Sequence, residues 1–527
     1  MHEWGYVMSN KVVFLKPGNN TSFRVLPFGL LVMGSYLDKN GFNVKIIDCT
    51  VELDYDAIMK DIEDALFVGL SVNTYEVPSA YDISKYIKAH SKTPVLWGGM
   101  HPTLYPGQTI ASEYVDYIVF NEGDETILEL AKNLMENKSI DEIKGLGFKK
   151  DGKIVMNPMR PLLNVENLPN LNYELVDFKT HLSLTSQPTI IYESSRGCPY
   201  LCTFCWNVIV EGRQTFRPKS AKKIIDEVEF LMNKYNVHNV TFVDDNFFVW
   251  KHRVQEFCKL IKERNLKFTW YGECRADYFR DNYINEEFLD MLWEAGLRHL
   301  VIGAESGSQR LIDEMKKGTK VEQVIHSAKV LSKYPIAINY SFIIGSPSET
   351  KEELYQTVKM MKNLRKLNKN AYPNTFVLTP YPKSEMTQHL VENGILKEPK
   401  TLEEWTLDES QNVYTGRYVD KPWHNNKRLM RGIIYATRMS FYEISEARLK
   451  EIISNFQWFY FSDVLFCSLG KLRIATNFYY LLFDKFLYDA SVKLRNNVYK
   501  KYILPLRKKR VATESSSLSA AAEAGVI

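Results

Sequence analysis

The chain has 527 residues, of which 45% are hydrophobic and 25% charged, and its net charge is +4. This length exceeds what one hydrophobic core can hold, so we expect two or three domains of a folded protein. So small a charge does not indicate a nucleic-acid partner. The first ten residues lack the apolar core of a signal peptide, and no run of about twenty apolar residues indicates a membrane span.

Residues 1–137 alternate short apolar runs with amphipathic segments, which is typical of a doubly wound parallel sheet. The order of elements predicts an α/β domain in which helices separate five buried strands. The predicted strands are 11–15, 44–47, 67–72, 94–97 and 117–120, and the helices with clear limits are 28–39, 79–89 and 125–135.

The loops at the carboxyl ends of these strands are rich in small and polar residues. Ligands of such sheets bind at these loops, and glycines there allow a large ligand to approach closely. An ordinary set of turns is the alternative interpretation. The loops are 18–21, 71–74, 98–103 and 121–126, and they contain Ser71, Asn73, Thr74, Gly98, Gly99, His101, Glu122 and Gly123.

Residues 138–188 are predicted to be a linker that contains one hairpin. Its strands are 147–150 and 153–156, and they turn at Asp151 and Gly152. The stretch that follows, 157–172, is rich in proline and asparagine, which favours an extended connection.

Residues 189–385 resume the alternation and predict a partial (β/α)6 barrel, whose active site is expected at the carboxyl ends of its strands. The predicted strands are 189–192, 240–243, 268–271, 299–302, 337–343 and 375–379, and the predicted helices are 221–234, 252–264, 285–294, 321–332 and 351–364.

Three cysteines, Cys198, Cys202 and Cys205, follow the first of these strands at C-x3-C-x2-C spacing. Three close thiolates suit a [4Fe–4S] cluster, and they leave one iron open to a small molecule. A structural zinc ion or an unrelated grouping is the alternative, although the sequence offers no second Cys or His pair. The other four cysteines are scattered singly, which favours a reducing, cytoplasmic location.

The last part, residues 386–527, is predicted to be helical, with amphipathic helices at 429–442 and 449–461 and an aromatic-rich segment at 477–488. It could cap the barrel, line a pocket for a large apolar substrate, or rest on a membrane surface, since six basic residues lie within 500–510. The tail from Ala512 is rich in Ser and Ala, which predicts disorder.

The cysteine run, with Phe204 before its third cysteine, resembles the signature of the radical S-adenosylmethionine (SAM) enzymes. The resemblance implies that the three cysteines hold the cluster and that its open iron chelates the amino and carboxylate groups of SAM. It further implies cleavage of SAM to a 5′-deoxyadenosyl radical, with electrons from a donor such as flavodoxin or ferredoxin.

The same resemblance implies that polar residues after the second to fifth barrel strands face SAM. These residues are Asp244, Asp245, Glu273, Arg275, Glu305, Ser306 and Gly345. Related chains often carry Pro-Gly-Thr after the sixth strand, whereas this chain has Lys383 in that loop. Cys274 lies in the presumed active site as either an inert or a substrate-facing thiol.

The segments 97–103 and 122–126 look like the cobalamin-binding domain that precedes many radical SAM cores. This resemblance implies that the loop residues named above contact cobalamin. The D-x-H-x-x-G signature is absent, so His101 either supplies the axial ligand or caps its own turn. Some members of this group keep the domain without binding cobalamin.

Together the resemblances imply a cobalamin-dependent radical SAM enzyme that methylates an unactivated carbon of a small-molecule or lipid-like substrate. A radical cyclase or oxidoreductase, acting on a large apolar substrate without net methylation, is the alternative. A methylthiotransferase would need a second cysteine triad, which this sequence lacks. A non-catalytic module that senses SAM or cobalamin is a further hypothesis.

Overall fold

The structure is a computed structural model. It describes residues 9–18, 26–50, 53–178, 181–182, 188–210, 214–414, 420–424, 426–441, 461–480 and 482–498. The predicted loop residues 19–21, most of the predicted helix 449–461, the basic residues of 500–510 and the tail lie outside the described residues.

The first sheet has seven strands, and five of them confirm the predicted parallel sheet. They are β1 (Lys11–Lys16), β2 (Asn43–Asp48), β3 (Phe67–Ser71), β4 (Val95–Gly98), β5 (Tyr117–Val119), β6 (Leu146–Lys150) and β7 (Lys153–Met156). The strand order is β2-β1-β3-β4-β5-β6-β7, and β1 to β5 pair in parallel. The order reverses between β1 and β3, and in doubly wound sheets ligands bind at such a point.

Helices cover both faces of this sheet, which is why its strands are almost continuously apolar. Val12 and Phe14 of β1 pack in one core cluster, whereas Val13 and Leu15 pack in another, because side chains alternate along a strand. The helices are α1 (Phe28–Lys39), α2 (Tyr55–Ile62), α3 (Val77–His90), α4 (Met100–Leu104), α5 (Pro106–Ala111) and α6 (Asp124–Met135).

The predicted hairpin forms, and it extends the first sheet. β6 and β7 pair antiparallel, and β6 also pairs antiparallel with β5. Asp151 and Gly152 have φ values of 49° and 73°, as a two-residue hairpin turn requires.

The second sheet carries the predicted partial barrel. Its strands are β8 (Ile190–Tyr192), β11 (Asn239–Phe242), β12 (Thr269–Cys274), β13 (Leu297–Glu305), β14 (Ala337–Ile344) and β15 (Ala371–Val377), while β9 (Ser195–Arg196) and β10 (Arg217–Pro218) form a separate antiparallel ribbon. The strand order is β15-β14-β13-β12-β11-β8, and β8 to β14 pair in parallel. The carboxyl ends of these strands therefore meet at one edge.

Helices follow the barrel strands as predicted, and many begin at a side-chain cap. The Thr350 side chain and Glu353 form a capping box, for example. The helices are α7 (Trp206–Ile209), α8 (Ala221–Tyr235), α9 (Lys251–Glu263), α10 (Glu286–Glu294), α11 (Gln309–Glu314), α12 (Val321–Leu331), α13 (Lys351–Leu367), α14 (Glu385–Glu392), α15 (Leu402–Thr406) and α16 (Asp408–Tyr414).

The last barrel strand begins four residues before its predicted start at residue 375. The added part contains Pro373, which cannot donate to a sheet ladder. β15 lies at the edge of the sheet, where proline is tolerated.

The chain divides into two compact units: residues 1–371 with 377–424, and residues 372–376 with 425–527. The described part of the second unit contains α17 (Lys427–Phe441), α18 (Phe461–Thr476) and α19 (Phe483–Val498). Among the described helices, none has both the length and the apolar character that crossing a bilayer requires.

Candidate cofactor site

The three cysteines lie in the loop between β9 and α7, at the carboxyl end of the second sheet. All three are free thiols; Cys202 is buried, and Cys198 and Cys205 are half-buried. Burial, together with the charges of Cys202 and Cys198, raises the pKa of the Cys205 thiol to about 12. The three sulfurs therefore lie close enough to influence each other.

The donor set of this loop fits an iron–sulfur cluster. Across the described residues, no three His, Cys, Asp or Glu side chains are placed to share one metal ion. Each cysteine of a cube bonds a different iron, so the three thiols need not converge on one point. Three thiols in one loop are the ligand number that a cube with one open iron requires.

The residue before the third cysteine packs away from the thiols. Phe204 lies against the core cluster that contains Leu378 and Trp405. Thr203 donates its backbone N–H to the Met315 carbonyl at 3.0 Å, which ties the loop to the segment after α11. These contacts fix the loop before any cluster binds.

Arg275, which was predicted to face the SAM carboxylate, supports the cysteine loop. Its guanidinium lies 3.5 Å from the ring centroid of Tyr200, between Cys198 and Cys202 in the chain. It also donates to Asp277 at 2.9 Å and to the Lys317 carbonyl at 2.6 Å. The side chain is only 6% exposed, so its role as a SAM contact stays a prediction.

Four charged residues meet at the carboxyl ends of β11 to β13, and we call Asp245, Glu273, Glu305 and Lys317 the mouth cluster. The Lys317 ammonium lies 2.6 Å from the Glu305 carboxylate. Glu305 has a φ of 57°, and a Cβ at Gly303 would collide with both partners of this ion pair. A side chain at position 303 would therefore have to displace the ends of both ion-pair side chains.

Glu273 is the accessible member of the mouth cluster. Its side chain is exposed, although the surrounding protein still desolvates the carboxylate. Burial, aided by the charge of Asp245 and opposed by that of Lys317, raises its pKa to about 7. The mouth cluster thus holds three acids and one base, which suits a cationic ligand.

Lys317 is a functional candidate that the sequence analysis missed. Burial opposes its charge, but the charges of Glu305 and Cys202 outweigh burial and raise its pKa. Lys316 and Lys317 are adjacent and chemically identical in the sequence. Only the fold distinguishes them, because Lys316 pairs with Glu385 at the surface while Lys317 points into the mouth.

The other predicted SAM contacts are held by structural hydrogen bonds. Asp244 is buried and accepts from the Ser194 backbone N–H and from the Ser195 hydroxyl, each at 2.8 Å. Ser306 is buried beside Thr357 at 3.2 Å. The Gly345 carbonyl accepts from Trp423 Nε1 at 2.7 Å. Their contact with SAM stays a prediction.

A cavity of about 560 Å³ lies between the loops of the first sheet and the cysteine loop. Asn73, Thr74 and Gly99 line it from the first sheet, and Trp206, next to Cys205, lines it from the opposite side. Tyr75, Met100, Thr103, Asn121, Val210, Thr379, Tyr381, Pro382 and Tyr414 complete the lining. Three of the eight predicted cobalamin contacts are therefore among the residues that form this wall.

Glycine is required at position 99 of this wall. Its φ is 95°, and a Cβ would lie 2.9 Å from the backbone nitrogen of Val72. The loops after β3 and β4 therefore pass in direct contact. Ser71 and Gly98 form the strand ends beneath this crossing, where Val72 donates to the Gly98 carbonyl at 2.8 Å.

His101 lies behind the wall in α4 and is fully buried. Its ring packs 5.3 Å from Trp405 and 5.5 Å from Tyr105, and neither ring nitrogen has a hydrogen-bond partner in the described structure. Burial lowers its pKa to about 3, so the ring is neutral. The suggestion that His101 caps its own turn is wrong, and the axial role stays a prediction.

Glu122 and Asp124 join the first sheet to the ribbon β9–β10, and with Glu193, Arg196 and Arg217 they form what we call the ion-pair seam. Arg217 donates to Glu122 at 2.6 and 3.0 Å, and Arg196 donates to Asp124 at 2.8 and 3.3 Å. Arg196 also donates to Glu193 at 2.9 Å. Arg196 of the seam lies two residues before Cys198, so its ion pairs hold the start of the cysteine loop in position.

The loop residues predicted to bind cobalamin at this point have structural partners. Glu122 accepts from the Leu163 backbone N–H at 3.1 Å in addition to its arginine. At Gly123, a Cβ would lie 3.1 Å from the side chain of Val119, which explains the glycine. Neither residue is among those that line the cavity.

Comparison with known proteins matches both halves of the first unit. Residues 192–361 match the model of the radical SAM superfamily, and residues 18–131 match the model of the B12 binding domain. An uncharacterised methyltransferase of Pyrococcus horikoshii is 31% identical over 376 residues, which cover 70% of this chain and 79% of the relative. An anaerobic magnesium-protoporphyrin IX monomethyl ester cyclase of Rubrivivax gelatinosus is 26% identical, with 72% and 70% covered.

Two solved structures share the fold. The radical SAM methyltransferase TsrM of Kitasatospora setae, with cobalamin and a [4Fe–4S] cluster bound, matches with a TM-score of 0.64 and 20% identity over 74% of this chain and 80% of that one. The cobalamin-dependent SAM radical enzyme OxsB, with aqua-cobalamin and SAM bound, matches with a TM-score of 0.67 and 17% identity over 99% and 82%.

Proposed function

This chain belongs to the radical SAM superfamily with a B12 binding domain, and from that premise we propose that it is a cobalamin-dependent C-methyltransferase. Its substrate would be a small or lipid-like molecule with an unactivated carbon. The observation that carries the proposal is the cavity, since loops of the first sheet and the residue next to Cys205 line the same space. A corrin held by the first sheet would therefore face the cysteine loop.

Different residues would bind the cluster and SAM. Cys198, Cys202 and Cys205 would hold the cluster, and Asp245 and Glu273 would accept hydrogen bonds from the SAM amino group. When bound, the cluster and cobalamin supply reductive cleavage of SAM and a transferable methyl group. The protein's own contribution is to hold the reacting groups in a fixed arrangement and to limit water.

Lys317 would bind the SAM carboxylate from the opposite side of the mouth. Its ammonium is held by Glu305 at 2.6 Å and lies near the cysteine loop. An ammonium with a positioned partner is a suitable point charge for a carboxylate. The paired acid keeps Lys317 protonated in spite of burial.

The first-sheet side of the cavity would hold the corrin. Asn73 and Thr74 offer polar groups, and Gly99 lets the backbone approach a flat ring closely. Tyr75 and Tyr381 add aromatic surface, which suits a substrate with an apolar body.

We further propose a flavodoxin or ferredoxin as reductant.

Anaerobic reconstitution with iron, sulfide and hydroxocobalamin tests this function. We expect about four irons and one cobalt per chain. With a reductant and SAM, the protein should release 5′-deoxyadenosine, and S-adenosylhomocysteine should also form when methyl transfer occurs. The Cys202→Ala variant is the control for unspecific SAM breakdown. Iron without cobalt would contradict the methyltransferase.

A radical cyclase or oxidoreductase is the second candidate. It is favoured by the 26% identity to the Rubrivivax gelatinosus cyclase over 403 residues. Such an enzyme would use the same cysteine loop without net methylation. It would give 5′-deoxyadenosine but no S-adenosylhomocysteine, which distinguishes the two candidates in one assay.

A further inference from the structure

An exposed apolar stripe runs along α19 in the second unit. Phe483, Phe486, Leu487 and Leu494 are 67%, 68%, 44% and 53% exposed, respectively. At 3.6 residues per turn, these four positions fall within roughly 100° of the helix circumference. A stripe of this width normally packs against a core.

The opposite face of α19 already packs against the other helices of the second unit. The Tyr488 ring lies 5.3 Å from Phe466 and 5.9 Å from Tyr435. Arg473 donates to Asp484 at 2.9 Å, which fixes the start of the helix. The stripe is therefore a second apolar face on a helix that is already anchored.

Apolar exposure continues on the neighbouring helix. Leu465 and Leu472 of α18 are 57% and 59% exposed, and their spacing of seven residues puts them on one helix face. Phe478, in the chain segment that connects α18 to α19, is 52% exposed. Exposed apolar groups this numerous mark an interaction surface rather than scattered surface residues.

Positive charge is concentrated directly after the stripe in the sequence. Residues 490–513 contain eight Lys and Arg and no Asp or Glu, whereas the whole chain carries only +4. The basic residues are Lys493, Arg495, Lys500, Lys501, Arg507, Lys508, Lys509 and Arg510. The partner of this surface should therefore be both apolar and anionic.

We propose that the α19 stripe and the basic segment bind the surface of an anionic lipid bilayer. An amphipathic helix lying in the interface buries its apolar face at the boundary of headgroups and acyl chains, while Lys and Arg attract anionic lipids. A nucleic acid would leave the stripe without a partner. A second copy of this chain repeats the same run of eight cations, so like charge opposes that segment as its partner.

The inference needs no step of the proposed chemistry, and it is tested on the reconstituted full-length protein by sedimentation with vesicles. Binding should be strong to vesicles of phosphatidylcholine with about 30% phosphatidylglycerol, and weak to phosphatidylcholine alone or at high salt. The variant with Phe483→Ser and Phe486→Ser should bind about tenfold more weakly or worse.

Two further variants keep the test specific. Phe230→Ser is the matched control, because Phe230 is a 46% exposed aromatic side chain on a helix of the first unit. Reversal of the charges at Arg507, Lys508, Lys509 and Arg510 to Glu should abolish the preference for anionic lipid. Iron and cobalt contents, which report on the first unit, should match those of the unchanged protein in all variants.

Several results would overturn the proposal. Equal binding to neutral and anionic vesicles would remove the charge argument, and unchanged binding of the Phe483→Ser, Phe486→Ser variant would remove the stripe. A shift from dimer to monomer in that variant, without vesicle binding of the parent, would assign the stripe to contact between copies. Tighter binding to an RNA oligonucleotide than to vesicles would assign the basic segment to nucleic acid.

Discussion

The ion-pair seam and the mouth cluster are both rich in charge, but they differ in how far those charges are matched and accessible. In the seam, the side chains of Asp124, Glu122 and Arg196 are only 4%, 5% and 8% exposed, and arginines bind both carboxylates. In the mouth cluster, Glu273 remains open to water with its pKa raised to about 7. Matched charges hold the cysteine loop in position, while the acidic excess of the mouth is available to a ligand.

The largest expected effect is at the loop that connects these two regions. Cys202→Ala should lower the iron content from about four to near zero per chain, because the remaining two thiols cannot hold the cube. SAM cleavage should fall below detection. Iron analysis and the visible absorbance of the cluster measure this. Cys258→Ala, at a buried thiol of α9, is the control and should retain iron. If Cys202→Ala instead retained four irons, the loop would not bind the cluster.

The next largest effect is expected from a substitution that breaks the ion-pair seam. Arg196→Met leaves Asp124 and Glu122 buried with less compensating charge, and we expect a loss of about 3–5 kcal/mol in the free energy of unfolding. Arg264→Met is the matched control, since Arg264 and its partner Asp226 are 29% and 43% exposed and pair at 2.7 Å. It should cost about 0–1 kcal/mol. Denaturant unfolding of both variants gives the comparison, and equal losses would show that the seam is no stronger than a surface pair.

A smaller effect is expected at the mouth cluster. An ionised Glu273 accepts a stronger hydrogen bond from the SAM amino group than a neutral one, and its pKa is about 7, so SAM binding should tighten as the pH rises through about 7. Glu273→Gln should bind SAM about tenfold more weakly above that pH and lose this pH dependence.

Equilibrium dialysis with labelled SAM between about pH 5.5 and pH 8.5 measures this dependence. Glu287→Gln, at an exposed acid in the first turn of α10, is the control and should behave like the unchanged protein. If the pH dependence survives in Glu273→Gln, another group of the mouth binds the SAM amino group.

The smallest effect is expected at a polar group that is neither matched nor accessible. His101→Leu removes two buried nitrogens without partners and nearly conserves volume, so the free energy of unfolding should change by less than about 1.5 kcal/mol. Cobalt per chain tests the predicted axial role. Loss of cobalt at unchanged stability would support His101 as the axial ligand, and unchanged cobalt would contradict it.

The difference between the two regions also explains what sequence could predict. Strands that are buried on both faces, such as β1, are near-continuous apolar runs, and polar residues after barrel strands are visible as motifs. The cysteine triad is local, so its spacing is complete within one loop. Because each of these features lies within a single segment of the chain, a sequence pattern alone predicts it.

Contacts between distant segments could not be predicted in this way. Arg217 binds Glu122 across 95 positions of the chain, so no local pattern distinguishes Glu122 as a seam residue from Glu122 as a ligand. The inward turn of Lys317 rather than Lys316 depends on the position of Glu305 at the end of the fourth barrel strand. The first case requires the folded arrangement of both sheets, and the second requires that of the barrel.

The seam also constrains the order of events during synthesis. The described strands of the first sheet end at Met156, whereas the cations that bind Asp124 and Glu122 lie 72 and 95 positions after them. At about 5–20 residues per second, the ribosome adds those arginines roughly 4–20 seconds after the acids. The first sheet therefore emerges with two carboxylates still hydrated at its edge, and it completes its surface only when the start of the barrel arrives. The two halves of the first unit are in this sense one folding unit, which a cut between them would leave unfinished.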